Sequence, residues 1–159
     1  GYGPDPAHKQ FTEQTQDAGR KLGMRVQVLI VHKADELERA FAEMARDKAE
    51  GLVVQPLFAN ALGLGPRIAE LATKIRLPSI SDGAGYADQG GLIFYGPVAR
   101  AVNERVAAYV DRILRGAKPA DLPIELPMTF ETTVNLKTAN SLGFTLPPEI
   151  MVRATQVVE

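Results

Sequence analysis

The 159-residue chain reads as an α/β domain, a three-layer sandwich in which a mainly parallel sheet carries helices on its faces. Three observations predict this. Short apolar runs alternate along the chain with longer segments of helical spacing. The runs at 24–31 and 51–55 are apolar on both faces in whole or in part, as covered parallel strands are. The segments between them are long enough for crossover helices, and strands joined that way are parallel neighbours with right-handed connections.

Each element follows from its own residues. Asp5-Pro6 opens a first helix over 6–22, Asp capping and Pro sitting where its missing N–H costs nothing; Phe11, Ala18 and Leu22 share a face and Gly23 stops it. MRVQVLIV at 24–31 is expected as a strand. Leu37, Phe41, Met44 and Ala45 fall on one face of a helix over 34–48, and 51–55 is a short buried strand. Asn60 is expected to cap a third helix whose stripe is Ile68, Leu71, Ala72 and Ile75. A strand at 78–81, a polar glycine-rich connection at 82–90 and a strand at 91–95 follow. A fourth helix over 98–115 places Val102, Val106, Tyr109, Val110 and Ile113 on its core side, with Gly116 as its stop. Beyond it lie a proline-spaced extended connector to Pro127, a strand at 128–136, a short helix at 137–142 stopped by Gly143, and a final turn or helix opened by Pro147-Pro148. The first helix carries the start that usually follows a βα turn, yet no strand precedes it. The chain is therefore expected to be part of a longer polypeptide that supplies that strand.

Composition narrows the chemistry. The chain has no Cys, so disulfides and Cys-based zinc sites are excluded, and its two His, His8 and His32, lie in segments of different character, so no metal site is expected. Net charge is −1 from 18 basic and 19 acidic residues, which selects neither nucleic acid nor an anionic membrane. No apolar run approaches the roughly 18–20 residues of a membrane span. The opening GYGPDP lacks the basic and apolar regions of a signal peptide, so the chain is either cytosolic or begins downstream of its targeting segment. Catalytic patterns are equally thin. Ser81-Asp82 sits in no GxSxG elbow, Asp5, Asp82 and Asp88 read as loop or cap residues, and ALGLGP at 61–66 lacks GxGxxG spacing. No catalytic residue and no cofactor is expected.

Ligands of open parallel sheets meet the loops at the carboxyl ends of the strands. That rule nominates Tyr2, Gln55, Phe58, Asn60, Ser81, Asp82 and Tyr95. Amides and hydroxyls would orient a small zwitterionic or amide-bearing solute, aromatic rings would cover its apolar part, and Asp82 would neutralise an ammonium.

Larger patterns carry a resemblance. RIAELA at 67–72, Leu77-Pro78, Gly90-Gly91-Leu92 with Tyr95-Gly96-Pro97, AYVDRILRGAKPADLP at 108–123, FETTVNLKTANSL at 130–142 and Pro147-Pro148 together resemble the substrate-binding proteins of ABC transporters, in particular the group linked to aromatic amino acids and related small solutes. The resemblance spans essentially the whole chain. It implies one lobe of a type I periplasmic-binding-protein fold, the C-terminal lobe, with residues 1–159 as a single α/β unit and 117–159 as a connector or crossover tail. It implies a precursor with a signal peptide or lipid anchor, a periplasmic or otherwise extracytoplasmic location, an N-terminal lobe, an ABC permease as partner, and no catalytic activity. Such folds send the chain back across a hinge, which would set the 98–115 helix against the other lobe; a lone lobe is expected to self-associate. Where family members have an Asn-Pro loop, this chain reads Tyr2-Gly3-Pro4-Asp5-Pro6. The same fold also serves as an effector-sensing regulatory domain, the alternative reading.

Overall fold

In the computed structural model, which describes residues 6–159, the chain divides into two units, Gly1–Ala49 and Glu50–Glu159. The first contains α1 (Pro6–Lys21), a 3-10 turn (Ala34–Glu36) and α2 (Leu37–Arg46). Gly23 at φ +70° ends α1 with a left-handed turn, and the Met24 N–H returns to the Gly19 carbonyl at 2.8 Å. Gly19 is needed for that return, because a Cβ there would lie 2.3 Å from Val26 Cγ2. The more covered side of α1 runs through Phe11, Thr15 and Gly19, while Ala18 and Leu22, expected on it, are exposed. The expected strand at 24–31 is corrected: the segment has no regular secondary structure and joins no strand ladder among the described residues. Apolar patterning selects an extended conformation; only a partner backbone makes it a strand. It is tied to α2 instead by Gln27, whose Nε2 donates to Glu43 and Asp47 at 3.0 Å each.

The second unit holds β1 (Leu52–Val54), a π-helical turn (Leu57–Ala61), α3 (Gly65–Lys74), β2 (Ser79–Ser81), β3 (Ile93–Pro97), α4 (Ala99–Leu114), β4 (Phe130–Asn135), α5 (Leu136–Leu142), α6 (Pro148–Arg153) and β5 (Gln156–Val158). Among the described residues the strands form one sheet in the order β1-β2-β3-β4-β5, parallel throughout except between β3 and β4, with helices flanking it. The α/β class and mainly parallel sheet read from the sequence are thus the observed ones. β5 was not legible: three residues long, it exists because Thr155 clamps it to β4, its N–H donating to the Thr132 carbonyl at 2.8 Å. The third helix starts later than expected. Asn60 lies inside the π-helical turn, and α3 begins at Gly65, with Pro66 in its first turn.

One core of this unit gathers Leu92, Val134, Ala139, Leu142 and Leu146, flanked by Ile93, Leu136, Ile150, Met151 and Ala154. α5 is docked on it by sequence-local devices: Asn135 Oδ1 accepts from the Thr138 N–H at its start, and Gly143 at φ +66° closes its end.

α4 differs from every expectation of a core helix. It has no buried residue, and Val106, Val110, Ile113 and Leu114 are exposed, so Tyr109, read as core packing, is only half-buried. Its side chains bond to the connector that follows it. The Tyr109 hydroxyl donates to the Pro123 carbonyl and Arg105 pairs with Glu125. On that connector Ile124, Leu126 and Met128 are exposed, Ile124 at 97%. Helix and connector together form an arm with an uncovered apolar surface.

Candidate functional site

β1, β2 and β3 are parallel, so their carboxyl ends meet at one edge of the second unit. Ser81 joins the first two: its Oγ donates to the Val54 carbonyl at 2.9 Å and accepts from the Gly83 N–H at 3.0 Å. Ser81 is buried, so its hydroxyl serves the fold here. Gly83 lies against the turn that follows β1, where a Cβ would come within 2.9 Å of the Ala59 methyl. The Asn60 amide completes the junction. With Nδ2 facing the Ala84 carbonyl (3.1 Å) and Oδ1 facing the Ala84 N–H (3.3 Å), it pairs with that residue's backbone as another strand would. The turns after β1 and β2 therefore form one wall.

Of the seven residues nominated from the sequence, Tyr2 lies outside the described residues. Phe58 is buried, like Ser81, and packs inside the unit rather than lining an open face. Gln55 is half-buried directly after β1. Asn60, Asp82 and Tyr95 are exposed at the shared edge. β3 outruns its pairing with β2, which ends at Ser81 opposite Phe94, so Tyr95 projects past the β2 terminus. The Asp82 carbonyl lies 3.2 Å from where a Cβ of Gly96 would stand, so the Asp82 backbone reaches β3 at Gly96, on the buried Phe94 face and not on the face that carries the Tyr95 ring. Phe130 is the member that sequence reading passed over. Its ring stacks on Tyr95 with centroids 5.6 Å apart and planes inclined by 17°, and both rings remain about half exposed. Only the antiparallel β3–β4 register brings it there, since no spacing in the sequence relates residues 95 and 130.

The crossover from β2 to β3 is a run of turns rather than a helix, and it is anchored by Tyr86. That side chain is fully buried, its hydroxyl donating to Ser79 Oγ at 2.9 Å and its ring pressed on Gly91. Burial pushes the Tyr86 phenol above its ordinary value of 10.0, with the bond to Ser79 a smaller opposing influence. The folded chain thus retains this proton at a pH where the unfolded chain releases it. Stability from Tyr86 is complete below about pH 10 and declines as pH rises toward the folded-state value. In urea titrations from about pH 8 upward, the native chain should lose stability above about pH 10 more steeply than Tyr86→Phe does. Parallel curves would mean that the phenol ionises as it does in water.

The resulting edge presents an exposed carboxylate, an amide-braced wall and a stacked aromatic pair. That combination can hold a small cationic or zwitterionic solute; among the described residues it shows no nucleophile with a base beside it.

Residues 2–158 match the family model described as ABC transporter substrate binding protein. No curated protein sequence gives a significant match. Among solved structures, a conserved domain protein of Vibrio cholerae O1 biovar El Tor superposes with a TM-score of 0.85 at 20% identity, covering 98% of this chain and 52% of that one. An ABC domain from Streptococcus pneumonia in complex with L-Trp gives a TM-score of 0.82 at 21% identity, over 99% of this chain and 54% of that one. The ligand-free, open structure of a Clostridium difficile substrate binding protein with adhesive properties gives 0.73 at 19% identity, over 99% and 52%. At these identities the likeness is one of fold. The chain spans about half the length of each of these structures.

Proposed function

We propose, from the premise that the chain belongs to the ABC transporter substrate-binding protein family, a family of binding proteins and not of enzymes, that it forms one lobe of a two-lobed solute receptor serving an importer. The observation that carries this reading is the open half-site. Asp82, Asn60 and the Tyr95–Phe130 pair are exposed together at one sheet edge, where ligands of such sheets bind. The carboxylate suits the ammonium of an amino acid, and the ring pair suits an aromatic or apolar side chain. The L-Trp held by the Streptococcus structure of the same fold fits that chemistry. The second lobe would close over the solute, and binding would shift the hinge equilibrium by as much as the closed form holds the solute more tightly. A membrane-spanning permease would then read the closed shape from outside the cytoplasm, so the receptor would work in an extracytoplasmic space. The uncovered arm of α4 and its connector is the surface that would lie against the other lobe.

A half-site makes a quantitative prediction. If a closed receptor binds with Kd near 1 μM, about −8 kcal/mol, a lobe contributing half the contacts retains about −4 kcal/mol, or a Kd near 1 mM. Calorimetry of this chain with L-tryptophan and the other amino acids should show no binding tighter than that. Submicromolar binding by these 159 residues alone would refute the half-cleft reading.

A further inference from the structure

The crossover over 82–91 carries the half-site's carboxylate, yet it contains no helix or strand of its own. Long connections of that kind are ordinarily the mobile parts of a fold. This one is held from two elements. Tyr86 ties it to β2 through Ser79. From α5, Asn135 Nδ2 donates to the Ala87 carbonyl at 2.8 Å, and Thr138 Oγ1 donates to the Gly90 carbonyl at 2.9 Å. Both donors are buried and both come from the start of α5, 48 residues further along the chain.

Asn135 divides its amide between two tasks. Its oxygen accepts from the Thr138 N–H and caps α5, while its nitrogen holds the crossover. Asp, Ser or Thr would serve the cap as well as Asn does. An ionised Asp has no donor for Ala87, so the cap alone does not account for an amide at this position. Thr138 likewise contributes its backbone to the cap and its hydroxyl to the crossover.

We propose that Asn135 and Thr138 are positioning residues for the solute half-site, a latch from α5 that fixes the crossover carrying Asp82 at the carboxyl end of β2. The proposal rests on the solute-receptor reading above.

The test uses Asn135→Asp, Thr138→Val and Thr138→Ser in the full 159-residue chain. Asn135→Asp keeps the cap and loses the donor; Thr138→Val removes the hydroxyl alone, introduces no charge, and serves should the buried carboxylate prevent folding. Amide hydrogen exchange is read at 83–91, with α3 and β4 as internal references, and L-tryptophan at millimolar concentration is the NMR probe of Asp82 and Tyr95. Exchange at 83–91 is expected to speed up about tenfold in Thr138→Val with the references unchanged, the loss of one buried hydrogen bond, and to return to the native rate in Thr138→Ser. The L-tryptophan concentration needed to shift Asp82 should rise several-fold in the valine variant. Unchanged exchange at 83–91, or equal acceleration of crossover and references, would overturn the latch. A native chain whose Asp82 and Tyr95 resonances ignore L-tryptophan removes the solute reading instead, and with it the functional half of the proposal, while the exchange data still decide whether the latch exists.

Discussion

Replacing Leu92 with alanine is expected to destabilise the chain by about 3 kcal/mol, whereas the same change at Leu114 should cost less than about 0.5 kcal/mol. Leu92 is buried among Val134, Ala139, Leu142 and Leu146, where loss of its isobutyl group leaves a cavity as well as a transfer cost. Leu114 is 81% exposed on α4 and has nothing to lose. Urea denaturation reads the contrast directly. If Leu114→Ala cost as much as Leu92→Ala, α4 would be packed in solution and the uncovered arm would not exist. The same arm is the expected seat of self-association by the isolated chain, so Leu114→Lys should weaken any dimer seen by sedimentation velocity; a clean native monomer at high concentration counts against that expectation.

Gly91→Ala is expected to be as damaging, for the opposite reason. A Cβ on Gly91 would stand 2.1 Å from Tyr86 Cε1 and 2.6 Å from its Cζ, well inside contact distance of a ring that is fully buried. The ring cannot yield without breaking its bond to Ser79 or lifting the crossover. Overpacking of this kind costs about 3 kcal/mol, a fall in Tm on the order of 10 °C for a unit of this size. Because the conflict is between two named groups, it should be non-additive. Combining Gly91→Ala with Tyr86→Leu should cost clearly less than the sum of the two single changes. Simple additivity in thermal melts would show that the clash is relieved elsewhere.

The expectations that succeeded and those that failed separate by physical cause. The helix stripe of Ile68, Leu71 and Ala72 and the strands β1 and β2 were legible, because a face turned inward repeats with the period of its element, but β1 buries only Val54 and exposes Val53 where a wholly buried strand was expected. The carboxyl-end rule nominated Asp82, Asn60 and Tyr95, and all three stay exposed: Asp82 directly follows β2, Asn60 lies in the turn after β1 and Tyr95 lies within β3. It could not tell that Ser81 and Phe58 would be consumed by the fold, because strand ends offer the same residue types to ligand and to neighbouring turns alike. Phe130 was missed for want of a register, and α4 was assigned to a core by a stripe that reports only an apolar face and not what covers it.

The sequence by itself determined the α/β class, the places of most helices and strands, and family membership, for these depend on local periodicity, capping and linear motifs. The tertiary structure decided that residues 24–31 lie outside the ladder, that Tyr95 meets Phe130, and that Asn135 and Thr138 hold a loop nearly fifty residues away. Each of those outcomes depends on which backbone a segment finds beside it, and a strand register or a buried hydrogen bond between distant residues leaves no period in the chain that forms it.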